Sequence, residues 1–344
     1  MMKGVFFLGN QRFETREAEL KPLGPRDVLV RNEAAGVCGT DIHIYHGEKG
    51  SADVTPPVVL GHEYAGIVEQ VGAEVTTVRP GDAVTVDPNI YCGQCPACRM
   101  GKKQNCHHLV AVGVNFNGGF AQYSVVPEQQ AFRLAPGVSL EAGAMAEPLA
   151  CCLHGIDRVG ILPGQSVCVI GGGAIGLMMV QLTRLSGAGF VALSEPVAMR
   201  REIGLSLGAD FAFDPLSQDP AATLSARLGA EGVDVVIECV GNTAATRQAF
   251  AVAAQGAHVL LFSVPSVDAT TPLPLFDVFH KELTIYGSLI NPDTHQRAVN
   301  LINAGRIQMA PLITHRFPLD QVEEAILAQQ GNESIKVLVK PWQV

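Results

Sequence analysis

Three residues in the first fifth of the chain carry the donor atoms of a transition-metal site. Cys38 offers a thiolate, and the run Gly61-His62-Glu63 offers an imidazole and a carboxylate. This set suits a borderline-soft divalent cation such as zinc, and three protein ligands leave a fourth position open for chemistry. Thr40 and His43 follow Cys38 at two and five residues, a hydroxyl and an imidazole able to pass a proton from a substrate alcohol to solvent. A further acid, Glu147, lies in the apolar run Met145-Ala146-Glu147-Pro148-Leu149-Ala150, where a carboxylate without a partner is costly. Service as a fourth metal ligand, directly or through water, would give it a partner; the plainer alternative is an acid in the first turn of a helix.

A second group of donors is spaced differently. Cys92-x2-Cys95-x2-Cys98-x7-Cys106 places four thiols in one Gly-, Pro- and Gln-containing loop. That matches a closed tetrahedral zinc site, and a loop so poor in apolar side chains needs a metal to order it. A redox Cys-x-x-Cys pair would need only two of the four. His107 and His108 adjoin Cys106 and are alternative ligands, but the fourth thiolate is the simpler choice. A closed site has no catalytic role.

The third constellation binds a nucleotide. Ser166-Val167-Cys168-Val169-Ile170 reads as a buried strand and runs into Gly171-Gly172-Gly173-Ala174-Ile175-Gly176, after which Leu177–Leu185 reads as an apolar helix. Glu195 ends the following strand, 19 residues past Gly176. Glycines at Gly171, Gly173 and Gly176, with Ile175 between them, predict a tight turn and a pyrophosphate on the helix N-terminus. Glu195 then receives the adenosine ribose hydroxyls, which favours NAD over NADP. Arg200 and Arg201 pull the other way, since a nearby arginine can receive a 2′-phosphate.

These sites need elements to hold them. Residues 1 to about 150 show short β-rich runs between Gly and Pro, including 28–30, 65–71, 82–86 and 120–126, which predict a compact barrel-like unit. From about 151 strands alternate with helices: strands at 190–194, 233–238, 257–263 and 283–286, and helices at 246–253 and near 294–304. That pattern predicts a doubly wound parallel sheet. The run 335–339 reads as a strand that returns to the first domain.

Composition narrows the class. The chain has 344 residues, 47% hydrophobic and 17% charged, enough for two cores. Lys plus Arg number 24 against 33 for Asp plus Glu, a net charge of −9 that argues against nucleic-acid or anionic-membrane partners. No signal peptide or spanning segment is expected, so the chain reads as cytoplasmic and its cysteines as thiols or ligands.

Together these motifs resemble the zinc-dependent medium-chain dehydrogenase/reductase family over essentially the whole chain, and its polyol (sorbitol or L-iditol) and threonine dehydrogenases in particular. The resemblance implies an α/β fold: a GroES-like β-barrel catalytic domain over 1–150, completed by about 291–344, and an NAD-binding Rossmann domain over 151–290. It also implies a catalytic zinc on Cys38, His62 and Glu63 with Glu147 beside it, and a homodimer or homotetramer built partly through Rossmann sheet edges. Where sorbitol-type members often carry Tyr after the relay histidine, this chain has Ile44, with Tyr45 one later. Where they carry Arg-Tyr after the glycine matching Gly287, it reads Ser288-Leu289-Ile290-Asn291. The expected activity is NAD-dependent oxidation of a secondary hydroxyl on a polyol or sugar alcohol. The alternatives are a threonine 3-dehydrogenase- or butanediol dehydrogenase-like enzyme with the same machinery, and a non-catalytic binding relative.

Overall fold

The computed structural model describes residues 1–48 and 53–343. The chain opens with β1 (Met2–Phe7), β2 (Phe13–Ala18), β3 (Asp27–Gly36), α1 (Gly39–Tyr45), β4 (Val58–Val59), β5 (Glu63–Val71), β6 (Ala83–Val86) and β7 (Asn89–Ile90). There follow α2 (Pro96–Arg99), β8 (Val110–Ala111), β9 (Tyr123–Pro127), β10 (Ala131–Arg133), α3 (Leu140–Ala144) and α4 (Ala146–Val159). Strands and helices then alternate: β11 (Ser166–Ile170), α5 (Ala174–Leu185), β12 (Phe190–Ser194), α6 (Ala198–Ser206), β13 (Phe211–Phe213), α7 (Pro220–Leu228), β14 (Val233–Glu238), α8 (Thr243–Ala251), β15 (Ala253–Leu261), α9 (Leu275–His280) and β16 (Thr284–Gly287). The last elements are α10 (His295–Asn303), β17 (Ile313–Pro318), α11 (Val322–Gln329) and β18 (Lys336–Lys340).

Two compact units result, Met1–Ala150 with Asn291–Val344, and Cys151–Ile290. In the first, β3 is the central strand: it pairs antiparallel with β5, β9 and β18. Its sequence explains the position, since Val28, Val30, Asn32 and Ala34 alternate inward. Asn32 is buried but satisfied: its amide donates to the Ala121 carbonyl and its oxygen accepts from the Ser124 hydroxyl. Val28, Val30, Tyr64, Phe120, Val126 and Val337 join the same core, the interior of a GroES-like barrel.

The second unit is one six-stranded parallel sheet in the order β13-β12-β11-β14-β15-β16. This is the Rossmann order, and it reverses direction after β11, where such folds leave a crevice for a dinucleotide.

Boundaries differ from expectation where side chains or bulges decide them. The helix expected at 246–253 spans Thr243–Ala251, because the Asn242 side chain accepts from the Ala245 N–H and starts it early. It also ends early, since β15 begins at Ala253, four residues before the expected strand, beside a register shift between Val233 and Val235. The strand expected from 120 begins at Tyr123. Phe120 instead accepts from the Val5 N–H and donates to the Leu60 carbonyl, outside the β3 ladder.

Candidate active site and metal centres

Strand register builds the first site. Gly36, the last residue of β3, pairs with Glu63, the first of β5. Cys38 therefore lies two residues beyond one strand, and His62 one residue before its neighbour. A Cβ on Gly36 would collide with the Glu63 carboxylate, so the close approach requires glycine there. The ligand atoms of Cys38, His62 and Glu63 all lie within 4.8 Å of one another, and His62 and Glu63 are buried.

Two residues that the motifs did not single out hold this set. Lys336 on β18 is buried; its ammonium donates to Glu63 Oε2 at 2.6 Å and to the Val37 carbonyl at 3.0 Å. Burial alone would push Lys336 down, but the negative groups around it, Glu63 first and then Cys38 and Glu147, together raise it and keep the ammonium charged. Asp41, in the first turn of α1, accepts from the Cys38 N–H at 2.9 Å with Oδ2. Its Oδ1 lies 3.7 Å from His62 Nδ1, an ion-pair contact, and both atoms are buried with no hydrogen-bond partner among the described residues. Burial would push His62 down, but Asp41 and Cys38 reverse the sign and raise it well above the usual range.

Both residues left a signal in the sequence. Cys38-x-x-Asp41 has the spacing of a helix capping box, and Lys336 interrupts an otherwise apolar tail strand. A buried carboxylate behind an imidazole, itself beside a thiol and a second acid, is the arrangement that orients histidine towards a metal. The acids at this site, Asp41, Glu63 and Glu147, also outnumber Lys336, a balance that suits a bound cation. The residues fit zinc.

Glu147 is buried in the first turn of α4, near enough for its charge to raise both His62 and Lys336. It stands outside the three-donor cluster. Thr40 and His43 share one face of α1 at i and i+3, both half-buried. Tyr45 is a structural residue: it is buried, stacks on Phe13 and donates its hydroxyl to Glu323 at 2.8 Å. Asn291 is also committed to the fold, donating to Asp87 and accepting from Asn89 within a buried network.

The four sulfurs of Cys92, Cys95, Cys98 and Cys106 lie within 4.8 Å of one another, and this group contains no histidine. The N–H groups of Cys92, Cys95 and His108 each point at a sulfur at 3.4 Å, which favours thiolates. Backbone N–H groups of Cys98 and His107 hold Cys95 down at about 6. The lobe's own core is little more than Ala97 and three of these cysteines, so this donor set also fits zinc and would depend on it for order.

In the second unit Gly171 has φ +97°, a left-handed turn that glycine permits, and a Cβ on Gly176 would strike the Gly171 carbonyl. A Cβ on Gly173 would meet nothing within 4 Å, which leaves the approach to the α5 N-terminus clear for a diphosphate. Ile175 is half-buried in the first turn of that helix. Glu195 is buried; one carboxylate oxygen accepts from Gly172 N–H at 2.6 Å and the other from Val197 N–H at 2.8 Å. Arg201 donates to the Glu195 and Pro196 carbonyls, while Arg200 is half-buried on α6.

Known proteins are similar to this chain over nearly its whole length. Residues 24–136 match the alcohol dehydrogenase GroES-like domain, and residues 174–304 match the zinc-binding dehydrogenase family. An L-threonine 3-dehydrogenase of Symbiobacterium thermophilum is 36% identical over 95% of this chain and 93% of its own length. A zinc-binding dehydrogenase from Sinorhizobium meliloti 1021, crystallised with NADP, is 40% identical with a TM-score of 0.95 over 99% of both chains. Galactitol-1-phosphate dehydrogenase from Escherichia coli is 26% identical with a TM-score of 0.88, covering 99% of this chain and all of that one. The chain belongs to the zinc-dependent medium-chain dehydrogenase/reductase family. It is an oxidoreductase of the zinc alcohol dehydrogenase type, with zinc and a nicotinamide dinucleotide as cofactors. Among the described residues no helix is long and apolar enough to cross a membrane.

Proposed function

We propose that this enzyme oxidises a secondary alcohol bearing a neighbouring hydroxyl, a polyol or sugar alcohol, with NAD as acceptor. The observation that carries the reading is the mixed donor set of half-buried Cys38 and buried His62 and Glu63, with the Glu147 charge beside it. When bound, zinc acts as a Lewis acid on the alcohol oxygen and the dinucleotide accepts the hydride. The chain's own residues do the rest. Cys38, His62 and Glu63 hold the metal, with Glu147 near it. Asp41 orients His62, and Lys336 fixes one oxygen of Glu63. Thr40 and His43 carry the proton away. Cys92, Cys95, Cys98 and Cys106 hold a second, structural zinc.

Gly171, Gly173, Ile175 and Gly176 cradle the dinucleotide. A 2′-phosphate would meet the buried Glu195 carboxylate, and Arg201 is spent on backbone carbonyls, which supports NAD over NADP. Changing Glu195 to Ala should narrow the kcat/KM ratio between the two cofactors; a wild-type preference for NADP would refute this assignment.

A second reading, oxidation of L-threonine, draws support from the threonine dehydrogenase relative. Polar groups around the metal should disfavour simple alcohols, because each buried group left without its hydrogen bond costs about 1–3 kcal/mol. The test is a panel of sorbitol, L-iditol, xylitol, arabitol, galactitol, L-threonine, 2,3-butanediol and ethanol, followed by NAD reduction. A polyol should lead, with ethanol lower by about one to two orders of magnitude. Threonine or butanediol ahead by more than about tenfold would move the assignment to the second reading, and ethanol ahead would overturn the polar-pocket argument.

A further inference from the structure

The end of α1 places a carboxylate on the relay histidine by backbone geometry. Tyr45 is the last helical residue, His46 the C-cap, and Gly47 follows with φ +72°. Glu48 N–H donates to the His43 carbonyl at 2.9 Å and Gly47 N–H to the Ile44 carbonyl at 3.0 Å. These are the two bonds of a Schellman motif, which brings the residue after the glycine against the residue three positions inside the helix end. Helices usually fill that contact with an apolar pair. Here it is His43 and Glu48, with Nδ1 2.5 Å from Oε2.

The side chains are 23% and 52% exposed, so the pair adds little to stability. Its consequence is chemical. A carboxylate accepts hydrogen bonds, so it takes the proton-bearing Nδ1 and leaves Nε2 with its lone pair.

We propose that Glu48 is a positioning residue that fixes His43 in the Nδ1–H tautomer and so makes Nε2 the proton acceptor of the relay. The proposal rests on the relay reading given above. As the substrate gives its proton to the Thr40 oxygen, the Thr40 O–H bond breaks and a bond forms at His43 Nε2. The imidazolium then faces the Glu48 carboxylate, and when Nε2 releases its proton to water the ring returns to its starting tautomer. The exchange is a proton transfer, with no change of oxidation state at Thr40 or His43.

The full-length, zinc-loaded protein with histidine labelled by nitrogen-15 allows a direct reading. Long-range nitrogen–proton correlation reports the tautomer of each ring, and His43 is assigned by its disappearance in His43→Gln. Wild type should show Nδ1–H. Glu48→Ala should lose that preference, with kcat for alcohol oxidation falling about tenfold to hundredfold and KM little changed. Glu48→Gln, which keeps an acceptor oxygen, should restore the tautomer and part of kcat. Equal Tm in all variants excludes a folding defect. A slow His43→Gln beside a Glu48→Ala of wild-type tautomer and rate would overturn the role of Glu48 and leave the relay standing. A His43→Gln variant at full rate would overturn the relay and this proposal with it.

Discussion

Lys336 and Glu63 form an ion pair in which both side chains are at most 5% exposed. Breaking such a pair leaves a bare buried charge, which typically costs about 3–5 kcal/mol, whereas removing both partners costs far less. Lys336→Met should therefore lower Tm sharply and weaken zinc retention. Adding Glu63→Gln should recover much of the lost stability but not the activity. Thermal unfolding of the two single variants and the double variant checks this; additive losses would show that the two side chains do not act as a pair. Asp41→Asn should leave the helix cap largely intact, since an amide oxygen can still accept from Cys38 N–H. It should lower zinc affinity about 10- to 100-fold, the usual cost of losing the partner behind a metal-binding histidine. Metal competition with a chelator measures it. The donors were legible as residue types at chemical spacings. Of their supports, Asp41 is marked by its local spacing, but the partner of Lys336 is not, because Lys336 lies 273 residues from Glu63 and only strand pairing brings the two together.

Helix α10 begins with His295, fully buried against Phe132, and burial pushes its imidazole down to about 3. The unfolded chain binds a proton as pH falls below about 6.5, while the folded chain does not until about 3. Stability from this group is therefore complete at neutral pH and drains away between those two values. His295→Leu should flatten that acid limb: between about pH 7 and about pH 5 the wild type should lose more Tm than the variant. Equal losses would mean that His295 is protonated in the fold. At the same scale, β11, its glycine turn and α5 were readable because every signal is local: an apolar run, then glycines, then an apolar helix. The edges of α8 and β15 were less so. A side-chain cap at Asn242 and a bulge near Val233 decide them, and neither changes the apolar pattern. Tyr45 and Asn291 lie where the chain departs from the sorbitol-type pattern, and the packing that commits both to the fold is long-range.

At the scale of the whole molecule, α9 exposes Leu275, Phe276 and Phe279, each more than 70% accessible, beside β16, which ends the Rossmann sheet. An open edge next to an apolar helix face is suited to a second copy of the chain. Light scattering should therefore give a dimer or tetramer, and Phe276→Asp with Phe279→Asp should shift it towards monomer; a monomeric wild type would remove this assignment. One chain is expected to hold two zinc sites of different kind, one open and catalytic on Cys38, His62 and Glu63, one closed and structural on Cys92, Cys95, Cys98 and Cys106. Zinc content of pure protein, measured beside turnover with NAD, decides the point. Wild type should carry two zinc ions per chain. Cys38→Ala should keep one, retain its fold and lose turnover. Cys95→Ala should also keep one, but with a loosened 92–106 lobe, a lower Tm and measurable turnover. Wild-type protein with one zinc or none at full activity would overturn the two-site assignment.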